Sequence, residues 1–486
     1  MSRTFRRSAA AGLTMATLSL AACNFAPDYH VPETATPPAF KESGDWKTAA
    51  PGDELPKGEW WKNLGDPTLD GLEDKIGSAN QDLKSALAKF QQARAALGIA
   101  NADTLPQVTG NSSATGNQRS KTALPAVKPT NYADYTASAS VSYELDVWGR
   151  VRNSVEAAKD TAQASAGDLA ATDLDLRAEL ADDYFSLRGF DTQQRILDEA
   201  VAAYAAALDL ITRRHEGGVQ PEADVAQAEG QLETAKTQAN ENGLRRAQME
   251  HAIAILAGEP PSQFTLPPHP LDAALPAPID TGLPSALIER RPDVAAAERR
   301  VAAANAEIGV ARAAYFPVFT LDGLVGLDSA LPTKLLQAPS TIWSFGPSAA
   351  INLFDGGRRD AMTDQACAVY DQTVADYRQT VLTADGEVED NLAAIRQLDR
   401  ESRTQRAAVA ATQRALDQAV LRYKAGIVTY IEVVETQNLA LTAQLSAADI
   451  QTRRLTSAVL LIKALGGGWS ADTGLELAAA GRPAGP

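Results

Sequence analysis

An internal duplication is the feature that most constrains how this chain can fold. The segment HEGGVQPEADVAQAE at residues 215–229 matches YKAGIVTYIEVVETQ at residues 423–437. In each copy a glycine turn separates two long alanine-rich runs, which is typical of the tip of a helical hairpin. We therefore predict two structural repeats, in which Gly217, Gly218 and Gly426 turn the backbone at the tips.

The N-terminal residues have the pattern of a bacterial targeting segment. Three arginines precede an apolar run that is too short to span a bilayer and that leads into LAAC at residues 20–23. This box resembles the bacterial lipoprotein signal, which predicts a signal peptide over residues 1–22 and lipidation of Cys23. The alternative is an ordinary signal peptide followed by a chance cysteine. Asn24 stands where an aspartate tends to retain such lipoproteins at the inner membrane, so the outer membrane is the favoured location.

The composition argues against nucleic-acid binding and against catalysis. With 45 Lys and Arg residues against 61 Asp and Glu residues, the formal net charge is −16, which gives no electrostatic footprint for nucleic acid. The four histidines are scattered without metal-ligand spacing, and the sequence has neither a phosphate-binding glycine loop nor a nucleophile elbow. We therefore expect no enzyme activity, no metal and no cofactor. Cys367 is interpreted as a small apolar residue on a helix.

Alternation of apolar and polar residues identifies the strands, strictly in the second strand and weakly in the first. From residue 135 to residue 147 every odd position is apolar or small and every even position is polar, as expected for a strand with one apolar and one wet face. Four strands are predicted, at about residues 107–118, 134–147, 317–328 and 342–354. No uncharged apolar run of about 18 residues follows the signal peptide, so a membrane crossing would have to use these strands. Four strands cannot close a barrel in lipid, whereas three copies of the chain would supply about twelve and enclose an aqueous lumen.

Most of the remaining sequence has helical periodicity. One helix is predicted from about Asp66 to about Asp103. Apolar or small residues recur every three or four positions along residues 155–169 and along residues 225–239, which predicts helices that pack closely through small side chains. The helix that leads to the first glycine turn would be roughly 100 Å long, with a break around residues 188–191.

These patterns divide the chain into consecutive segments. They are a signal peptide (1–22), an extended lipidated arm (23–68), a first repeat (69–259) with its tip at 215–221, a proline-rich linker (260–284), a second repeat (285–466) with its tip at 423–429, and a C-terminal tail (467–486). Each repeat has the order helix, strand, loop, strand, long helix, glycine turn, helix.

Several longer motifs resemble those of a known family. They are the box LAAC, GEWWKNLGDPTLDGL at 58–72, RRPDVAAAERRVAAANAEIGVARAAYFP at 290–317, LFDGGRR at 353–359 and YKAGIVTYIEVVETQ at 423–437. Together they resemble the outer membrane efflux family, the TolC-like factors, and in particular its lipoprotein branch of the NodT and OprM type. The resemblance covers nearly the whole mature chain.

This resemblance implies a mainly helical fold with a small β part. Three copies would join four transmembrane strands each into a twelve-strand barrel in the outer membrane, and their coiled-coil helices would form an α-barrel across the periplasm. The homotrimer would dock onto a periplasmic adaptor and an inner membrane transporter of the RND class, without a cofactor. The implied function is the exit duct of a tripartite efflux pump for drugs or toxic small molecules. A conduit for type I protein secretion and a periplasmic coiled-coil adaptor lipoprotein are the alternatives, and strands with an apolar face disfavour the adaptor.

The resemblance also implies a gate at the second tip. Ile427, Ile431 and Glu435 match an apolar, apolar and acidic series that narrows the tube in the lipoprotein branch. Tyr423 and Glu432 match a tyrosine and an acid that latch or line the aperture in TolC. These five residues are therefore the candidate gate.

The candidate gate residues also have purely structural interpretations. Thr429 and Glu432 fit a helix capping box, with Val428 in a hydrophobic staple. Ile431 could be the first residue of a helical seam, and Glu435 could be a solvated surface acid. Val428 also stands where TolC has its basic latch residue, so a salt-bridge latch of that kind is not expected.

Overall fold

The described part of the chain is mainly helical and contains one four-stranded sheet. The computed structural model describes residues 24–34, 39–43, 59–120, 131–271 and 291–467. The predicted signal peptide, the lipidation site Cys23, about half of the predicted linker and nearly all of the predicted C-terminal tail lie outside these residues.

The helices and strands follow the predicted order. They are α1 (Pro67–Ala79), α2 (Gln81–Ala102), β1 (Gln107–Gln118), β2 (Asn131–Leu145), α3 (Arg150–Glu216), α4 (Glu222–Leu256), α5 (Pro292–Ala313), β3 (Val318–Ser329), β4 (Thr341–Ala350), α6 (Arg358–Lys424) and α7 (Tyr430–Ala464). Short 3-10 turns cover Lys41–Ser43, Trp60–Leu64, Pro332–Lys334 and Ala338–Ser340. Among the described residues, no helix combines the length and the hydropathy that a membrane span requires.

The described residues separate into two compact units. The strand unit comprises residues up to 33, 89–165 and 296–378, and the tip unit comprises residues 34–88, 166–295 and those from 379 onward. All four strands belong to the strand unit, whereas both glycine turns belong to the tip unit.

The strands form one antiparallel sheet in the order β1-β2-β3-β4. Val108 pairs with Val141, and Val141 pairs with Gly323. Gly323 in turn pairs with Phe345. Because side chains alternate along a strand, most of the large apolar side chains share one face, and most of the hydroxyl and carboxylate side chains share the other; Leu324 and Ile342 are exceptions on the second face. The structure thus contains the four strands that the alternation predicted.

Two strands end earlier than predicted. β2 ends at Leu145 because the Asp146 carboxylate accepts hydrogen bonds from two backbone N–H groups at the start of α3, over 3.1 and 2.9 Å. β4 ends at Ala350, which pairs with Val318, the first residue of β3. Pro317 precedes β3, so the residues after Ala350 have no partner strand.

The helix predicted from Asp66 to Asp103 is divided into α1 and α2 at Asn80. Asn80 leaves the helical region with φ −59° and ψ 132°. Its Nδ2 donates to the carbonyl of Leu256 over 2.9 Å, and its Oδ1 accepts the N–H of Leu83 over 2.9 Å. The asparagine therefore caps α2 and also satisfies the end of α4, a tertiary contact that local periodicity cannot predict.

The long helix of the first repeat has no break. α3 runs without interruption from Arg150 to Glu216, so the break predicted around residues 188–191 is wrong. The two charged residues of this stretch do not mark a helix end. They are buried in the tip unit, where Arg188 Nη1 donates to Asp191 Oδ2 over 3.0 Å.

Gly189 in the same stretch permits close helix packing. A Cβ at this position would lie 2.2 Å from Thr452 Oγ1 on α7. That distance is well inside van der Waals contact, so α3 and α7 can approach at this point only because residue 189 has no side chain.

We expect Gly189→Ala to destabilise the protein by about 1–3 kcal/mol, because the added methyl group overpacks this helix contact. The matched control is Gly243→Ala, at a glycine of α4 that has open space around its Cβ position. The control should be neutral or stabilising by up to about 1 kcal/mol, because alanine favours helix. Thermal unfolding of the purified protein in detergent compares the two variants. Equal stabilities would contradict the close approach of α3 and α7.

The first part of the predicted linker is fixed to the tip unit by arginine side chains. Arg188 Nη1 donates to the carbonyl of Pro267 over 2.9 Å, and Arg246 Nη2 donates to the carbonyl of Leu266 over 2.6 Å. We refer to residues 264–271 as the strap. Its backbone carbonyls are bound by buried or half-buried guanidinium groups, so α3 and α4 determine its path.

The helices of the tip unit pack through the positions that the periodicity indicated. On α4, Val225, Ala228, Leu232 and Ala235 are buried. One cluster in this unit consists of Ile196, Leu197, Tyr204, Leu232, Ala235, Leu441 and Ala448. It joins α3, α4 and α7, and two of its seven members are alanines, one on α4 and one on α7.

Candidate functional site

Both glycine turns have the same backbone hydrogen bonds. Gly218 has φ 72° and Gly426 has φ 73°. Each donates its N–H to the carbonyl three residues earlier, over 2.8 and 3.0 Å, and the next residue donates to the carbonyl five residues earlier, over 2.9 Å in both turns. This is the Schellman pattern, whose left-handed residue is normally glycine. Gly217 does not have a positive φ, and a Cβ there would make ordinary contacts of 3.5 and 3.6 Å, so the turn does not require this glycine.

A single apolar cluster joins the two tips within one chain. This tip cluster consists of Ile211, Val225, Ala228, Ala419, Tyr423, Tyr430, Val433 and Val434, with Leu208, Val420 and Val428 packed against it. Its members come from α3, α4, α6 and α7. The two hairpins of one chain are therefore bound to each other directly beside their turns.

Tyr423 lies inside the tip cluster. It is 9 % exposed, its ring centroid is 5.6 Å from that of Tyr430, and the guanidinium of Arg214 lies 5.2 Å from its ring centroid. The hydroxyl groups of Tyr423 and Tyr430 are both buried without a hydrogen-bond partner. The structure thus places Tyr423 between the hairpins, where it packs against Tyr430 and Arg214, two residues that the sequence analysis did not single out.

Burial, and to a smaller extent the neighbouring Tyr423, raises the pKa of Tyr430 to about 12. The unfolded chain would titrate this tyrosine near pH 10. The protonated phenol therefore contributes stability that is complete below about pH 10 and that is lost as the pH rises to about 12.

We expect Tyr430→Phe to abolish this part of the alkaline destabilisation, which amounts to about 1–1.5 kcal/mol in wild type at pH 11. At pH 7 the substitution should be neutral or slightly stabilising, because it removes a buried hydroxyl without a partner. Unfolding midpoints at pH 8 and pH 11 measure the difference. Tyr132→Phe, at an exposed tyrosine of β2, is the control and should resemble wild type at both pH values. An equal alkaline loss in Tyr430→Phe and wild type would refute this role.

Glu432 forms an ion pair across the second turn. Arg422 Nη1 lies 2.7 Å from Glu432 Oε1, and both side chains are half exposed. Thr429 is the residue that precedes α7, but its side chain makes no capping hydrogen bond, so the reciprocal capping box is not formed. Val428 does pack against the tip cluster, as a hydrophobic staple would. The partner of the acid is thus Arg422 of the same chain, and position 428 has no part in the pair.

Ile427, Ile431 and Glu435 are exposed in the single chain. Ile427 is 67 % and Ile431 is 49 % exposed, and Leu439 one turn beyond Glu435 is also exposed. Residues 431, 435 and 439 are four positions apart and therefore lie along one face of α7. We refer to this row as the outer face of α7. At the first turn Val219, the residue equivalent to Ile427, is exposed as well.

In the first turn, His215 and Gln220 make polar contacts. His215 Nε2 lies 3.0 Å from Glu222 Oε2, and His215 Nδ1 lies 2.8 Å from the carbonyl of Gln220. Gln220 also donates to Asp224. In the part of the chain that the structure describes, no group of three or more His, Cys, Asp or Glu side chains could hold a metal ion.

Comparison with known proteins identifies the family. The sequence model of the outer membrane efflux protein family matches residues 74–259 and again residues 283–467, which is more than half of the chain. This chain belongs to the outer membrane efflux protein family. The two matches coincide with the two predicted repeats, so the internal duplication is a property of the family.

Individual relatives are similar over nearly their whole length. Outer membrane protein OprJ of Pseudomonas aeruginosa is 33% identical over 469 residues, which cover 96% of this chain and 97% of OprJ. The toluene efflux pump outer membrane protein TtgC of Pseudomonas putida is 31% identical over 95% of this chain and 96% of its own. Among solved structures, the outer-membrane channel OprN superposes with a TM-score of 0.85 at 29% identity, covering 92% of this chain and 100% of OprN. The Campylobacter jejuni CmeC outer membrane channel has a TM-score of 0.88 at 26% identity, covering 94% and 98%.

The family and the mainly helical TolC-like fold predicted from the sequence are thereby confirmed. The members of this family are efflux proteins, in agreement with the expectation that the chain is not an enzyme. Lipidation of Cys23 and the roles of the five candidate gate residues stay predictions.

Proposed function

We propose that this outer membrane efflux protein is the exit duct of a tripartite pump, through which small molecules leave the cell. Similarity along nearly the entire chain to proteins named for efflux and export carries this proposal. The protein would receive its solutes from a periplasmic adaptor and an inner membrane transporter of the RND class. The similarity includes both repeats, so it covers the strands as well as the tips.

The sheet supports a trimeric duct. Its edge strands β1 and β4 have no partner strand within the described residues, and open edges are not tolerated in lipid. Its apolar face carries Val108, Val325 and Trp343, all of them exposed in the single chain. Three copies would pair edge to edge into a closed twelve-strand barrel with this face toward lipid and the hydroxyl-rich face toward an aqueous lumen.

The relatives favour small molecules over proteins as the exported material. OpmQ of Pseudomonas aeruginosa is named for pyoverdine export, ArpC of Pseudomonas putida for antibiotic efflux and TtgC for toluene efflux. These solutes differ in charge and polarity, so the duct is expected to be tolerant and the associated pump to select the solute. All three names refer to small molecules, which makes a type I secretion conduit the weaker candidate.

The outer face of α7 and the second turn would form the gate. Ile427, Ile431 and Glu435 lie outside the tip cluster, and all three are exposed in the single chain. In a trimer the same three side chains would be repeated around the narrow end of the tube. The isoleucines would then form an apolar constriction, and the three carboxylates would attract cations and repel anions.

Export can be tested in a strain that lacks its own outer membrane factor. The full-length chain, expressed together with its adaptor and transporter, should enter the outer membrane fraction and lower the accumulation of a fluorescent pump substrate. A chain with Cys23→Ser keeps the channel but lacks the predicted lipid attachment, and it separates anchoring from transport. Unchanged accumulation in cells that contain all three components in the envelope would contradict the proposal.

A further inference from the structure

The two edge strands of the sheet differ from ordinary exposed edges because neither carries a charge. β1 is QVTGNSSATGNQ and β4 is TIWSFGPSAA, and neither contains Asp, Glu, Lys or Arg. Proteins usually protect an exposed edge with charged side chains or proline, because its free N–H and C=O groups recruit other strands. Pro347 is the proline of these edges, and it lies in the second half of β4, so the first half is unprotected.

On the apolar face, residues 110–116 of the β1 edge have small side chains, whereas the β4 edge carries large ones. On β1 this face carries Gly110, Ser112, Ala114 and Gly116, since Ala114 pairs with Tyr135 and the others alternate with it. On β4 the same face carries Trp343 and Phe345. Trp343 is 76 % exposed. One edge therefore presents a groove and the other a projecting indole.

The sheet already contains one aromatic ring that packs over a glycine. Phe345 pairs with Gly323, and the Cβ position of Gly323 lies 3.4 Å from the Phe345 ring, so the ring covers the glycine within the chain. By contrast, nothing lies within 4 Å of the Cβ positions of Gly110 and Gly116. The space over these two glycines is open in the single chain and matches the flat face of an aromatic ring.

We propose that Trp343 of one copy packs over the small face of β1 in the next copy, at Ala114 and Gly116, and thereby fixes the register between subunits. This inference rests on the proposed trimer and names the contact that closes it. The strand ends are compatible with this contact, because the pairings place Gln118 of β1 and Thr341 of β4 at the same end of the sheet.

The alternation of side chains restricts how two copies can pair. A slip of one residue would turn the small face of β1 away from Trp343 and put polar side chains such as Ser113 and Thr115 beside the indole. Lipid alone could cover Trp343, but it cannot bond to the free backbone groups of the edges. A second copy of this chain satisfies both requirements, since it supplies an uncharged strand and a groove.

Heat-modifiability of the purified full-length protein on SDS gels tests the contact. Trp343→Ala should lower the temperature at which the trimer dissociates. Tyr143→Ala removes an aromatic side chain from the same face of the inner strand β2, which is paired on both sides within the chain, and it should leave that temperature closer to wild type. Gly116→Phe should also weaken the trimer, whereas the double variant Trp343→Ala, Gly116→Phe should recover stability because the large and small residues have exchanged strands.

A cysteine pair gives a second measurement that does not depend on stability. In a Cys367→Ala background, Trp343→Cys with Gly116→Cys should form covalent oligomers on mild oxidation, since disulfide formation requires Cβ atoms about 4 Å apart. Each single cysteine should give none of these bands. A wild-type trimer with unaltered dissociation in Trp343→Ala and no cross-link would overturn this contact alone, whereas a wild-type protein that is always monomeric would overturn the proposed assembly with it.

Discussion

The double variant Ile431→Ala, Glu435→Ala is expected to conduct severalfold more than wild type in a planar bilayer. Both side chains are exposed on the outer face of α7, one helical turn apart. Neither contributes to the tip cluster, so their truncation should widen the aperture without unfolding the tips. The expected increase comes from the loss of an apolar ring, whose dewetting opposes ion passage.

The single variants separate the two contributions. Ile431→Ala should raise the total conductance, whereas Glu435→Ala should mainly lower the preference for cations over anions, because it removes three carboxylates from the aperture. The control is Ile255→Ala with Glu229→Ala, which deletes the same residue types at exposed positions of α4. Unchanged conductance and selectivity in the gate variants would exclude both residues from the gate.

Features of the fold that depend on neighbouring residues in the sequence were predictable from the sequence. The four strands follow from alternation, and Gly218 and Gly426 follow from a turn that needs positive φ. The buried positions of α4, such as Val225 and Leu232, follow from spacing by three and four. In each case the signal lies within a few residues of the feature that it predicts.

The features that depend on tertiary contacts were not predictable in this way. Asn80 divides a helix because its side chain bonds to the end of α4, and Gly189 lies within a helix because α7 needs the space. Asparagine and glycine are both common at helix ends. The sequence predicted a break around residues 188–191, where the helix is continuous, and none at Asn80, where the helix is divided. The missed partners at the tips, Arg422 and Tyr430, are likewise defined by contacts across a turn.

The resemblance to the family identified the tip as the candidate site but did not determine the role of each residue there. Tyr423 was expected at the aperture, and in the single chain it lies in the tip cluster between the hairpins. Ile427 and Ile431 are by contrast exposed. Of the five candidate residues, Tyr423 packs between the hairpins, Glu432 forms an ion pair within the second turn, and Ile427, Ile431 and Glu435 are free to face other copies.

Asp191→Ala is expected to be the most destabilising of the substitutions considered, with a loss of about 3–5 kcal/mol. The side chain is 1% exposed, and its carboxylate accepts Arg246 Nε over 2.6 Å, Arg188 Nη1 over 3.0 Å and the N–H of His269 over 2.9 Å. Removal of the carboxylate would take the acidic partner from the buried Arg188, and it would leave Arg246 with only the longer pair to Glu250, at 3.3 Å. It would also release the backbone of the strap at His269.

The strap provides a local measurement of the effect of Asp191→Ala, in addition to the global loss of stability. Glu199→Ala removes an acid two turns further along α3, where it forms an exposed pair with Arg195, and it should cost less than about 1 kcal/mol. Limited proteolysis should cleave Asp191→Ala within residues 264–271 much faster than wild type or the control. Thermal unfolding then measures the global loss. If Asp191→Ala unfolds like Glu199→Ala and its strap stays resistant to protease, the buried carboxylate does not hold the strap, and the backbone path of the linker must be set by the apolar contacts of Phe264 and Leu266, both of which are buried.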